Sequence, residues 1–190
     1  MSVRSASRRD GGALTRPVHL AVVGAGAADS ATRDLAARVG RAAARAGAVV
    51  VCGGLGGVME AACRGAREAG GRTVAVIPGP DPAAANPWAE VVVATGLGHA
   101  RNVVVVQSGD AVIALPGSWG TLSEIALARK CGRPVVAVGA WRHLEGVRVA
   151  EGPEEAVALA VSLAGRRPDE RTPAGAEPVP TRGPWDEGAS

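Results

Sequence analysis

Leu115-Pro116-Gly117-Ser118-Trp119-Gly120-Thr121-Leu122-Ser123-Glu124 follows an apolar run, Ala111 to Leu115, and precedes Ile125-Ala126-Leu127-Ala128-Arg129-Lys130. The order is strand, Gly-rich turn, helix. Gly117 and Gly120 let backbone come close to a ligand. A helix that starts here aims free N–H groups and a positive dipole end into the same space, which makes an anion site. Thr121 is a natural N-cap and Glu124 stands three residues on, as in a capping box. Glu124 is therefore either a helix-start device or a working acid beside an anion pocket.

The same alternation runs outward along the chain. His19–Val23 reads as a first strand ending at Gly24, and residues 31–46 as a helix capped by Ser30 or Thr32. Residues 48–52 form a second strand before Gly53-Gly54-Leu55-Gly56-Gly57, and residues 58–69 a second helix stopped by Gly70-Gly71. Strands follow at 73–77 and 91–93, separated by a Pro-rich loop. Val103 to Val106 favours strand by propensity. Architecture favours a helix within residues 98–109, because strand and helix alternate everywhere else. A fifth strand at 111–115, a helix at 121–131, a sixth strand at 134–138 and a helix at 154–164 complete the reading. Short, continuous apolar strands imply burial on both faces. The expected fold is α/β, a Rossmann-like doubly wound parallel sheet flanked by helices in a single domain, residues 18–165. Ligands of such sheets bind at the carboxyl ends of the strands. Gly-rich turns follow strands one, two and five, and their convergence points to one site.

Composition bounds the function. With 190 residues the chain can bury a real core. It has no Tyr or Phe and four Trp, few aromatics for a base-stacking nucleic-acid binder. Residues 1–17 carry four Arg against one Asp and read as a flexible basic leader. The leader is short of an apolar h-region, so it is no secretory signal, and no run approaches a membrane span. Residues 166–190, with five prolines and no apolar periodicity, read as a disordered tail. Cys52, Cys63 and Cys131 lack metal spacing and read as reduced thiols of a cytoplasmic protein. No metal site is expected.

Gly24-Ala25-Gly26-Ala27-Ala28-Asp29 begins like a dinucleotide fingerprint but lacks its third Gly. Cys52 and Gly53 stand where a ribose-binding acid would end strand two, which argues against a standard NAD site. Four glycines in Gly53–Gly57 exceed what a plain connection needs and favour close approach of a ligand. Met59 and Glu60 then open a helix, where Glu60 offsets the dipole. Arg101 follows Gly96, Gly98 and His99 just past the fourth strand. It is read equally as a fork for phosphate or carboxylate and as a plain surface Arg. His99 reads as a solvated or capping residue.

With these motifs in place the chain resembles the Lonely Guy (LOG) superfamily, often called lysine decarboxylase-like. Gly53 to Met59, Arg101-Asn102 and Pro116 to Glu124 are the counterparts of its three motifs. Gly56 to Glu60, Ala85-Asn86-Pro87, Thr95 to Asn102 and Gly120 to Leu127 are similar to the branch that includes molybdenum cofactor carrier proteins. The resemblance implies a homodimer and a phosphorylated small-molecule ligand, a nucleotide or a molybdenum cofactor-like pterin, with no cofactor required. The implied contacts are Gly24, Gly26, Gly53, Gly54, Gly56, Gly57, Met59, Arg101, Asn102 and the run Pro116, Gly117, Ser118, Trp119, Gly120, Thr121, with Glu124. Phosphate is expected on the Gly117–Thr121 turn. The alternative is a nucleoside 5′-monophosphate phosphoribohydrolase in which Arg101 and Glu124 are catalytic. Asn102 in place of the hydrolases' Lys, and Glu60 in place of a Gly, favour the carrier-like reading. Ser118 in place of a Gly changes the turn in either case. Nucleic-acid binding through the leader is the remote third class, and no membrane partner is expected.

Overall fold

The computed structural model describes residues 16–165. The expectations for the leader up to residue 15 and for the tail from 166 lie outside these residues. Arg16, placed in the leader, belongs to the described part and grips Asp110 with both terminal guanidinium nitrogens, at 2.8 and 2.6 Å.

The elements in chain order are β1 (His19–Val23), α1 (Ser30–Arg45), β2 (Val49–Cys52), α2 (Val58–Glu68) and β3 (Arg72–Ile77). β4 (Val91–Ala94), α3 (Arg101–Ser108), β5 (Ala111–Ala114) and α4 (Trp119–Lys130) follow. β6 (Val135–Val138), β7 (Arg148–Ala150) and α5 (Pro153–Ala164) end the described chain. Single 3₁₀ turns at Pro82–Ala84 and Gly98–Ala100 flank β4.

All seven strands run parallel in the order β4-β3-β2-β1-β5-β6-β7. The chain winds outward one way from β1 to β4, then returns beside β1 at β5 and winds the other way. Residues alternate between the two faces, as strand geometry demands. Leu20, Val22, Val50 and Ile113 pack under α1, α2 and α5. Ala21, Val23, Val51 and Val112 pack under α3 and α4. The α1–α2 pair lies close because Gly40 and Gly65 face each other's helix. A Cβ on Gly40 would strike the Ala62 carbonyl, and one on Gly65 the Ala37 carbonyl. The many Ala residues of these helices serve the same close approach.

The β-branched run of α3 is helical, as architecture favoured: Val105 and Val106 are fully buried against the sheet, and that burial outweighs strand propensity. Other sequence expectations are corrected. α1 is capped by Asp29, which accepts from the Thr32 N–H at 2.8 Å, rather than by Ser30 or Thr32. The short strand β7 was not expected; three residues carry too little periodicity to announce themselves. β4 is an edge strand with Val91 and Val93 43% exposed, so its two faces are not both buried.

The proposed capping box does not form. α4 begins at Trp119, with Ser118 at the cap position and no side-chain cap bond. Thr121 is thereby the third helical residue, buried against Gly117, and Glu124 turns inward. The early start moves Thr121 out of the cap position and removes the geometry that box requires.

Candidate functional site

β1 and β5 are neighbours whose following loops leave toward opposite faces, so a crevice opens at their carboxyl ends. The three Gly-rich turns meet there. The Ala25 N–H donates to the Pro116 carbonyl at 3.0 Å, and the Val58 N–H to the Ala25 carbonyl at 3.0 Å. These two bonds tie the turns after β1 and β5 to the start of α2.

At the floor of this crevice α4 presents its N-terminus. Leu122 N–H is the first to find a helical partner, the Ser118 carbonyl. No side chain caps the N–H groups before it. A Cβ added at Gly120 would meet no atom within 4 Å, so the space before the helix is open. Ser123 Oγ donates to the Gly120 carbonyl at 2.7 Å, and Asn102 reaches Ser123 Oγ at 3.4 Å, which links α3 to this first turn.

Arg101 is the first residue of α3 and is only 7% exposed. Its Nε and Nη1 are buried and have no hydrogen-bond partner. The guanidinium lies over Gly53, where any Cβ would collide with it. Gly53 is thus needed for an internal contact: it makes room for Arg101. Glu124 lies across the cleft, 8% exposed. No ion pair joins Glu124 and Arg101 among the described residues. Burial pushes the Glu124 carboxyl up to about 7, against the pull of the Arg101 charge. Burial also holds the Arg101 guanidinium below its ordinary value, with the Glu124 and Cys52 charges opposing.

The cleft bounded by these groups has a volume of about 200 Å³. Of the residues expected from sequence, Gly24, Gly26, Met59, Arg101, Asn102 and Ser118 line it, as do Gly120, Thr121 and Glu124. Pro116 and Gly117 stand on the far side of Ser118. Gly54, Gly56 and Gly57 form the turn behind the cleft; Gly54 packs on Ala75 and Ile77, and Gly57 on the Ala25–Gly26 backbone. Trp119 is 83% exposed and lines no part of it. His99, read as a solvated or capping residue, also lines the cleft.

Sequence reasoning assigned no role to Asn86 or to the cysteine pair. Asn86 donates its backbone N–H to the Gly54 carbonyl at 2.8 Å and its side-chain amide to the Leu55 carbonyl at 3.3 Å. It also accepts from the Trp88 N–H at 3.1 Å, so it fastens the Pro-rich loop to the Gly53–Gly57 turn. The Ala85-Asn86-Pro87 signature was the available signal. Cys52 and Cys63 lie buried behind the same turn with their sulfurs 3.4 Å apart. Contact with Cys63 lowers the Cys52 thiol, and contact with Cys52, with burial, raises that of Cys63.

Residues 17–163 match the model of the SLOG cluster4 family, whose short name is LDcluster4. The chain belongs to the SLOG cluster4 family. An uncharacterized protein of Archaeoglobus fulgidus is 46% identical over 145 residues, 76% of this chain and 95% of that relative. A cytokinin riboside 5′-monophosphate phosphoribohydrolase of Mycobacterium tuberculosis is 38% identical over 125 residues, 60% of this chain and 66% of that enzyme. Among solved structures, the molybdenum cofactor binding protein of Rippkaea orientalis superimposes with a TM-score of 0.74 at 33% identity, covering 78% of this chain and 98% of that one. The molybdenum cofactor carrier protein of Chlamydomonas reinhardtii gives 0.71 at 29% identity, covering 80% and 100%. The family and the Rossmann-like fold inferred from the motifs are both borne out.

The raised Glu124 carboxyl ties stability to pH. A folded state that holds this proton more tightly than the unfolded chain gains stability from it, fully below the ordinary value of 4.5. That contribution is lost as pH rises through about 7. Glu124→Gln removes the titration. The melting temperature of wild type relative to Glu124→Gln is expected to fall between pH 5 and pH 8, by up to about 3 kcal/mol of stability. Parallel melting curves across that range would contradict the burial of an ionisable Glu124.

Proposed function

We propose that the protein is a binding protein for a phosphorylated small molecule, a nucleotide or a molybdenum cofactor-like pterin carried as cargo. The observation that carries this reading is the Arg101 guanidinium, buried and unpartnered, lining the same cleft as the uncapped start of α4. A buried unpaired cation is costly, and an anion in the cleft offsets that cost. Backbone N–H groups of the Gly117–Thr121 turn supply donors of fixed direction, and Arg101 supplies charge and a fork. The fold neighbours named as molybdenum cofactor binding and carrier proteins support an anionic pterin as the cargo class.

A second reading is favoured by one specific observation. Burial pushes the Glu124 carboxyl up to about 7 in the cleft that Arg101 also lines, in a chain related to a phosphoribohydrolase. Hydrolysis of an N-glycosidic bond passes through an oxocarbenium-like state. Ionised Glu124 would stabilise the positive ribose or direct a water, while protonated Glu124 would donate a proton; a group poised near the working pH does either. Arg101 would hold the phosphorylated ribose. Asn102 and Glu60 weigh toward the carrier.

The protein is further taken to be cytoplasmic and homodimeric. No helix among the described residues is long and apolar enough to cross a membrane. The family resemblance motivates the dimer, and light scattering at micromolar concentration is expected to return twice the 18.9 kDa chain mass; the chain mass alone would refute it.

Gly120→Val tests the anion site. The added side chain projects into the open space before α4, so the fold is expected to hold. Affinity for inorganic phosphate and for AMP is expected to fall by at least about tenfold, or 1.4 kcal/mol. Unchanged affinity in a folded Gly120→Val protein would refute the placement. Free base released from nucleoside monophosphates by wild type, and lost in Glu124→Gln, would decide for the hydrolase; a co-purified pterin seen by native mass spectrometry would decide for the carrier.

A further inference from the structure

The loop that joins β6 to β7 holds Trp141, whose φ of 65° is the one positive value outside glycine among the described residues. A bulky side chain is strained in that region of backbone space. Such a conformation persists only where the surroundings impose it. Two contacts do so here. The indole, with Leu144 and Val147 of the same loop, packs on the apolar core beneath α3 and α4. Its Nε1–H donates to the Leu115 carbonyl at 2.8 Å.

Leu115 is fully buried and is the last residue before the Pro116–Thr121 turn. Its N–H donates to the Val23 carbonyl at 2.9 Å, and the next carbonyl, that of Pro116, accepts from the Ala25 N–H at 3.0 Å. The turn is therefore gripped from the β1 side by backbone alone. From the β6 side it is gripped by Gly139, where an added Cβ would stand 3.4 Å from the Pro116 ring, and by the Trp141 indole. No backbone donor from a turn or loop competes for the Leu115 carbonyl among the described residues. A buried carbonyl that loses its donor must find another. Rotation of the Leu115–Pro116 peptide plane is the local way to do so, and it redirects the Gly117–Thr121 N–H groups that follow. Hydrogen bonds to an anion weaken steeply when their donors are misaligned.

We propose that Trp141 is a positioning residue of the cleft: its indole N–H fixes the Leu115 carbonyl and so aims the N–H groups at the start of α4. Trp141 lines no part of the cleft and acts only through the turn. The strained backbone at Trp141 is the cost of placing that donor. This rests on the reading of α4 as the anion site.

The test compares two full-length variants of one loop, by melting temperature and by calorimetric affinity for inorganic phosphate and AMP. Trp141→Phe keeps an aromatic ring on the core and removes the N–H. Leu144→Ala removes packing from the same core and leaves the indole bond. Trp141→Phe is expected to weaken phosphate and AMP binding by at least about fivefold. Leu144→Ala is expected to lower the melting temperature at least as far, yet to bind both probes as wild type does. Amide hydrogen exchange at Ala25, whose bond to Pro116 reports on the turn, is expected to quicken in Trp141→Phe alone. Wild-type affinity in Trp141→Phe, or equal losses of affinity in both variants, would overturn the positioning role and leave the anion site standing. Should Trp141→Phe fail to fold, wild type decides: the Trp141 indole N–H resonance is expected to move on phosphate binding while that of Trp88 stays. A stationary Trp141 resonance in phosphate-bound protein would overturn the role. Failure of wild type to bind phosphate or AMP would overturn the anion site and this inference with it.

Discussion

A guanidinium held out of water without a hydrogen-bond partner for two of its nitrogens is the constraint around which the site is arranged. Arg101 is kept in place by its position as the first residue of α3 and by the bare backbone of Gly53 beneath it. The turn bearing Gly53 is fastened by Asn86, and the crevice exists because β1 and β5 send their loops apart. Each of these features is ordinary. Together they keep a cation beside an uncapped helix end, two sources of positive potential that reinforce each other and that no carboxylate among the described residues neutralises by direct pairing. Glu124, the acid nearest by function, stays protonated through much of the range below neutrality instead of closing an ion pair.

That arrangement has the ingredients that each of the two proposed functions, binding and hydrolysis, would use. Phosphate recognition needs only the helix end and the arginine. Glycosidic cleavage needs, in addition, an acid whose charge appears on demand beside the ribose. Both ingredients are present, and whether they act as a cradle or as a catalyst depends on how near the scissile bond comes to Glu124. Electrostatic preorganisation of this kind stores its cost in the unliganded protein.

Much of this was legible in the sequence because it is written in local patterns. The strand-turn-helix units, the three Gly-rich turns and the parallel order follow from apolar runs and glycine placement, and the helix at Val103–Val106 followed from architecture against its own propensity. What the sequence hid depends on contacts across the fold. The burial of Arg101 could not be read, because it is set by Gly53 from a different strand. Thr121 and Glu124 fit a capping box by spacing, yet a two-residue earlier start of α4 turned both inward. Asp29 caps α1 where Ser30 and Thr32 looked as suitable, since neighbours of equal capping preference are separated only by backbone direction. Trp119 sits within the most informative motif but faces solvent.

The most direct measurement is the thermal stability of Arg101→Met at pH 6, with and without inorganic phosphate. At that pH Glu124 is mostly protonated, so the native arginine stands without a charged partner. Replacing it with an apolar side chain of similar length is expected to stabilise the phosphate-free protein by about 1–4 kcal/mol, a rise of several degrees. Phosphate should raise the melting temperature of wild type and leave the variant unmoved. A variant less stable than wild type in phosphate-free buffer, and still stabilised by phosphate, would contradict the account.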